Sequence, residues 1–189
     1  MTAITNTTRN GIDVAQVYGT LDAIAADPSL ARFEFRVSNR WITGTHSRST
    51  IQGFHGAGQE DASRELPFVL DASEPPVLLG HNEAPNPAEL LMHALAGCLT
   101  LTIVNVAAAR KVTLTEVTSR LEGELDARGA LGLDDSIRNG FHRLSVAFTV
   151  RGEASPEKLQ EIVERAKARS VVYDIVSNGV PVDVTAEVG

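Results

Sequence analysis

Apolar positions recur along the chain with two periods, and the places where the period changes mark the element boundaries. From about Ile12 to Ala26, Val14, Val17, Tyr18, Leu21, Ile24 and Ala25 fall at helical spacing, and Asp27-Pro28 ends the run. Phe33, Phe35 and Val37 then alternate with Glu34, Arg36 and Ser38, the period of a half-buried strand running on towards Trp41. Thr43-Gly44-Thr45 reads as a turn into a second strand from about Arg48 to Phe54. Gly56 to Arg64 reads as a polar hairpin loop, and Leu66 to Leu70 as a third strand. The next stretch, DASEPPVLLGHNEAPN from Asp71 to Asn86, holds three prolines and one glycine and no period. A segment of that kind either covers a site or crosses the surface with Val77, Leu78 and Leu79 tucked onto the core.

Asn86 opens the longest element. It is a good N-cap, Pro87 suits the first helical position, and Glu89 completes a capping box. The helix runs LLMHALAGCLTLTIVNVAAA to Arg110-Lys111 and is apolar nearly all round, which predicts a central helix buried on every side. Twenty such residues also suffice to span a bilayer. His93, Gly97, Thr100, Thr102 and Asn105 argue against that, as do flanking amphipathic strands that would lose their core.

After the helix, Leu114 to Asp126 reads as a strand and Ala127 to Gly140 as a loop. His142, Leu144, Val146, Phe148 and Val150 form a second clear alternation. Ser155 caps a helix beginning at Pro156, with Leu159, Ile162, Val163 and Ala166 as its buried stripe. Ser177-Asn178-Gly179 reads as a turn into a terminal strand of alternating Val180, Val182, Val184, Ala186 and Val188, with Pro181 at its start or on an edge. The expected fold class is therefore α+β, with two groups of antiparallel strands wrapped around a long buried helix and a second amphipathic one. Residues 1–30 read as an N-terminal helical extension and residues 31–189 as a single domain.

Composition narrows the function classes. A chain of 189 residues can bury a real core, and its net charge of -7 repels phosphate backbones, so nucleic acid is not an expected partner. The start, MTAITNTTRN, is polar and has no secretory or transit pattern, which gives a soluble cytoplasmic protein as the expectation, with no membrane partner. A single cysteine excludes an intrachain disulfide and any C-x-x-C pair. The histidines His46, His55, His81, His93 and His142 show no metal-ligand spacing, and phosphate-binding glycine loops and a Gly-x-Ser-x-Gly elbow are missing. No metal and no cofactor are expected.

Cys98 lies in the middle of the apolar helix and has two readings. It is either a small buried hydrophobe or a nucleophile. Leu91, Ala94, Leu95, Leu101, Thr102 and Asn105 share its face. Such a setting raises a thiol pKa, so a reactive thiolate needs a cation or donor from elsewhere. Arg36, Arg40 and Arg48 on the first hairpin are candidates, with a solvated strand face as the alternative role.

The stretch PNPAELLMHALAGC, the N-terminal strand hairpin and the late segment SVVYDIVSNGVPVDV together resemble the OsmC/Ohr family of thiol-dependent hydroperoxide reductases, over about residues 31 to 188. The resemblance implies an OsmC-like fold in an intertwined homodimer, with two long buried helices back to back and a site at the subunit interface. It also implies that a helix cysteine attacks an organic hydroperoxide, that an arginine and a glutamate activate it, and that a second cysteine resolves the sulfenate. On this chain Cys98 takes the attacking position, while Ser170 stands at the resolving position and cannot form a disulfide. The glutamate position is Ala88. The adjacent Glu89 lies roughly 180° around the helix from Cys98 and fits the capping box better. Thr45 falls near the place of the arginine, leaving Arg48 or Arg40 to substitute. Asp174, beside Tyr173, is a further pocket candidate, with a helix-end or turn role equally open. The resulting expectation is a peroxidase that works with one cysteine and an external thiol reductant. The alternative is a non-peroxidase dimer of the same fold that binds a small apolar ligand.

Overall fold

The computed structural model describes residues 8–189, so the first seven residues of the expected extension lie outside the described part. The chain opens with a hairpin of β1 (Thr8–Arg9) and β2 (Ile12–Asp13), turned by Asn10 and Gly11 at φ 52° and 79°. Asn-Gly is the pair that takes these left-handed angles most readily. Asn10 then bridges to a later segment: its Nδ2 donates to the Val112 carbonyl at 3.0 Å and its Oδ1 accepts from the Leu114 amide at 2.9 Å. Helix α1 (Val14–Ala26) starts where the Asp13 carboxylate accepts the Ala15 and Gln16 amides.

By packing, the chain divides into two compact units, one of residues 13–93 with Thr8, the other of residues 9–12 and 94–189. The first holds β3 (Glu34–Phe35), β4 (Ser38–Thr43), β5 (His46–Ile51), β6 (Phe54–Gly56), β7 (Gln59–Asp61) and β8 (Phe68–Ala72). They form two antiparallel sheets, ordered β3-β6-β7 and β4-β5-β8. The strand expected from Phe33 to Trp41 is thus two strands, because Phe35 pairs with Phe54 in one ladder and Ser38 with Thr50 in the other. The expected loop over 56–64 contains β7, and the third strand sits two residues later than expected. Phe33, Phe35 and Phe54 stack with centroids 5.4–6.3 Å apart, and the Arg64 guanidinium lies 5.4 Å over Phe54 and 5.2 Å over Phe68.

The segment over 71–86 is a closed loop rather than a structureless one. The Ser73 amide donates to the Pro85 carbonyl at 3.3 Å, and the Ser73 hydroxyl donates to Glu83 at 2.5 Å. A β-carbon on Gly80 would fall 1.7 Å from the Glu74 oxygen, so only glycine fits that crossing. Val77 and Leu79 are 85% and 87% exposed. They are not tucked onto a core as one reading of the sequence had it.

Helix α2 (Pro87–Ala109) leads into the second unit, followed by β9 (Leu114–Glu124), α3 (Ala127–Ala130), β10 (Arg143–Gly152), α4 (Pro156–Lys167) and α5 (Val171–Asn178). The capping box is present: Asn86 Oδ1 accepts the Glu89 amide and Glu89 accepts the Asn86 amide, both at 2.8 Å. β9 and β10 pair antiparallel, with Phe148 opposite Ser119 and Val150 opposite Val117. Ile103, Val106 and Ala107 of α2, Val112, and Ile162 and Ala166 of α4 form the core, with Phe148 and Val150 packed against it.

Three expectations need correction. α2 is buried along one stripe, from Leu95 through Leu99, Ile103 and Val106 to Ala108, while Leu101 is 66% exposed. One strand pair and one helix cover one side of a cylinder, so burial on every side is not met within the chain. The helix has the length and hydropathy of a membrane span, but a stripe seated in a core cluster is how a core helix packs. Second, residues 171–178 form a helix where only the closing turn was expected, and Gly179 ends it. Third, residues 180–188 carry the valine alternation without forming a strand, their side chains exposed. Alternation supplies a face, whereas a strand also needs a ladder partner.

Ile162 is fully buried in the core cluster. Ile162→Ala is expected to lower stability by about 2–5 kcal/mol in denaturant unfolding, whereas Val184→Ala, at an exposed position, should stay within about 0.5 kcal/mol.

Candidate functional site

The rotation that turns Leu95 and Leu99 into the core leaves Cys98 on the flank of the stripe, half-buried. What meets its sulfur is the start of α5. Ser170 is the N-cap of that helix and is itself 2% exposed. Its hydroxyl oxygen accepts the Tyr173 amide at 3.2 Å, the capping bond proper, and lies 3.2 Å from Cys98 Sγ, to which it donates.

The first amides of a helix have no partner inside it. The Val171 and Val172 amides belong to the first turn of α5, beside the capping Ser170, and favour the thiolate form of Cys98. Burial pushes the Cys98 thiol up, but the hydrogen bonds from Ser170, Val172 and Val171 outweigh it, and the thiol ends below its ordinary value. The Thr102 hydroxyl adds least, its proton being held by the Cys98 carbonyl at 2.7 Å. The groups that set the thiol's acidity are therefore hydrogen-bond donors and the positive end of a helix.

Arg48 and Arg40 belong to the first unit, where they face each other across β4 and β5. Arg48 is engaged: its Nε and an Nη donate to the two Asp71 oxygens at 2.6 and 2.8 Å, a bidentate pair. His46 Nε2 lies 3.2 Å from the same carboxylate. Arg48 holds the Asp71 carboxyl down at about 2 against some desolvation, and His46 adds to the effect. Arg36 is paired with Glu60. Glu89 is in the capping box, and Asp174, in the first turn of α5, accepts from the Asn178 side-chain amide at 2.8 Å. Among the sequence candidates, the structure joins Cys98 to Ser170. The donors it adds, the amides of α5, follow from a helix that the sequence reading missed; the signal for it was Ser170 as cap and Gly179 as stop, with eight residues between them.

Within the second unit, an open cavity of about 900 Å³ runs over one face of β10, lined by neither Cys98 nor Ser170. Leu99, Ile103, Phe148 and Val163 line its floor, and Lys167 and Tyr173 stand at its side, the Lys167 ammonium 5.6 Å from the Tyr173 ring centre. Leu99 follows Cys98 directly and Tyr173 lies three residues after Ser170, so the thiol and the cavity share α2 and α5. Among the described residues no group of three His, Cys, Asp or Glu side chains is placed to hold a metal ion.

The architecture is shared with solved structures. An OsmC-like protein from Mycoplasma pneumoniae superposes with a TM-score of 0.58 at 13% identity, over 77% of this chain and 88% of its own. A putative osmotic stress induced and detoxification response protein from Psychrobacter arcticus gives 0.56 at 17% identity, over 76% and 88%. An organic hydroperoxide resistance protein OsmC from Legionella pneumophila gives 0.50 at 20% identity, over 77% and 91%. At these identities the likeness is one of fold, and the class is that of α+β proteins with the OsmC architecture. The OsmC-like protein family model matches residues 80–185, from the closed loop through α5, and the chain belongs to that family. None of the curated proteins matches it.

The Asp71–Arg48 pair gives a pH prediction. A carboxyl held below its unfolded value contributes stability that is present above about pH 4 and lost as pH falls towards 2. Acid unfolding followed by circular dichroism should show a loss between those values in the wild type that is smaller in Asp71→Asn.

Proposed function

We propose that the protein is a thiol-dependent peroxidase that reduces organic hydroperoxides with Cys98 alone and returns to the thiol through an external dithiol. The observation that carries this reading is the Cys98 sulfur, set against the Ser170 hydroxyl at the amino end of α5 and made more acidic by them. Family membership and the description of the Legionella protein as an organic hydroperoxide resistance protein point the same way.

The chemistry balances with the groups named. The Cys98 thiolate attacks the outer peroxide oxygen, the O–O bond breaks, and the alkoxide takes up a proton to leave as alcohol. The sulfenic acid left on Cys98 condenses with one thiol of the dithiol, releasing water. The second thiol then displaces Cys98 from the mixed disulfide. No second cysteine exists to close the cycle inside the chain. The cycle as written asks nothing of Arg48, which is paired with Asp71, of Arg40, of Glu89 in its capping box or of Asp174, which accepts from Asn178.

In this reading the protein works as a homodimer in the cytoplasm. The exposed large apolar side chains, among them Phe35, Trp41, Leu101 and Val171, call for a covering surface, and a second copy of the chain supplies one. A second reading, a dimer that binds a small apolar ligand without turnover, is favoured by the apolar floor of the 900 Å³ cavity.

Cumene hydroperoxide and a dithiol distinguish the two. Wild type is expected to turn over and Cys98→Ser to be inactive; turnover that survives in Cys98→Ser, or is missing in the wild type, removes the peroxidase reading. Ser170→Cys, with the partner atoms already 3.2 Å apart, is expected to give an intrachain disulfide with one equivalent of peroxide, seen as a loss of two hydrogens in the mass of the intact chain.

A further inference from the structure

A serine at the end of one helix and a cysteine in the middle of another make a contact that the proposed chemistry does not by itself require. Ser170 has two jobs that compete for one hydroxyl. As N-cap it must accept the Tyr173 amide, and that bond occupies the oxygen at 3.2 Å. A hydroxyl has one proton, and with a lone pair engaged by the amide that proton is free to turn towards the remaining neighbour, Cys98 Sγ at 3.2 Å. The side chain is 2% exposed, so water does not compete for it. The cap therefore works as an orienting device: the backbone of α5 fixes the oxygen, and the oxygen presents its proton to the sulfur.

We propose that Ser170 is the positioning residue of Cys98, its hydroxyl locked by the Tyr173 amide as a donor that holds the sulfur as an acceptor at the amino end of α5. This deepens the peroxidase reading and rests on it for its meaning in turnover. The serine that stands where a resolving thiol would be then prepares the attack instead of finishing it. A donor aimed at the sulfur favours the thiolate over the thiol and fixes the direction from which the sulfur is held. Among the described residues no charged side chain figures among the groups acting on Cys98. Asp174, the acid in the first turn of the same helix, has its carboxylate turned to the Asn178 amide, and Tyr173 has its ring under the Lys167 ammonium.

The test separates donation from capping and uses no peroxide. The rate of alkylation of Cys98 by iodoacetamide is followed from pH 5 to 10 in the full chain, alongside thermal unfolding. Ser170→Thr keeps both bonds and should reproduce the wild-type profile. Ser170→Gly is tolerated at an N-cap, carries no charge and has no proton to give, so its unfolding temperature should stay near that of the wild type. Its alkylation inflection should rise by about one pH unit or more, a tenfold or greater loss of rate near neutrality. Ser170→Ala should shift in the same direction. The proposal is overturned if Ser170→Gly, folded, gives the wild-type profile, or if Ser170→Thr shifts as far as Ser170→Ala. Because alkylation needs no hydroperoxide, a wild type that fails to turn over peroxide yet shows these shifts removes the peroxidase reading and leaves this one standing.

Discussion

The stripe of Leu95, Leu99, Ile103 and Val106 locks α2 in rotation, and the position of the thiol follows from that lock. Turning the helix by one residue, roughly 100°, would carry Leu99 out of the core and Cys98 into it. The same turn would take Ile103 out of a cluster closed by Ile162 and Ala166, both fully buried. Packing energy alone thus keeps Cys98 on the flank, half-buried, where a reagent can reach the sulfur but water does not surround it. Chemistry on Cys98 depends on a constraint that involves no chemistry.

The same core fixes the other half of the site. α4 is held by Ile162 and Ala166, and the short connection Ala168-Arg169 sets where Ser170 must be. The beginning of α5 is delivered to the sulfur by the element before it, with no flexible side chain to order. A long cation reaching over the thiolate would contribute more charge, but it would also lose rotamer freedom in being held there. Backbone amides and a capped serine are already fixed by the fold. Within its own unit Arg48 is committed to Asp71 through both oxygens, which keeps that guanidinium ordered and partly neutralised.

How much of this was legible in the sequence depended on how local each cause was. The Asn86–Glu89 capping box, the Ser155-Pro156 start of α4 and the alternation of β10 were readable because their partners lie within a few residues or on one face. The splitting of the strand after Phe33 was hidden, because it depends on which ladder each half joins. α5 was hidden for a different reason: Val171, Val172, Ile175 and Val176 are β-branched, and their preference speaks against a helix that its two caps nevertheless define. The terminal valines misled in the opposite sense, alternation standing without a ladder. At the site, the place of Cys98 in the helix was legible in PNPAELLMHALAGC and Ser170 was already a candidate, but the amide donors of α5 were not legible, since no residue type advertises them.

A lone cysteine changes what its surroundings must do. With a second thiol at hand, a sulfenate is trapped quickly, and the groups around the first sulfur need only to prepare it for attack. Here the sulfur faces the Ser170 hydroxyl, which is neither nucleophilic enough towards sulfur nor able to form a disulfide. In the peroxidase reading the oxidised sulfur waits for a molecule from outside, and whatever holds it must serve both states. The Ser170 hydroxyl and the Val171 and Val172 amides do so in the peroxidase reading, because all of them donate, and a sulfenate oxygen or a thiolate sulfur accepts alike. A neighbouring cysteine thiol is a weaker donor than a hydroxyl. In that reading the residue that leaves the cycle open within the chain is the same one that strengthens the hold on the anion.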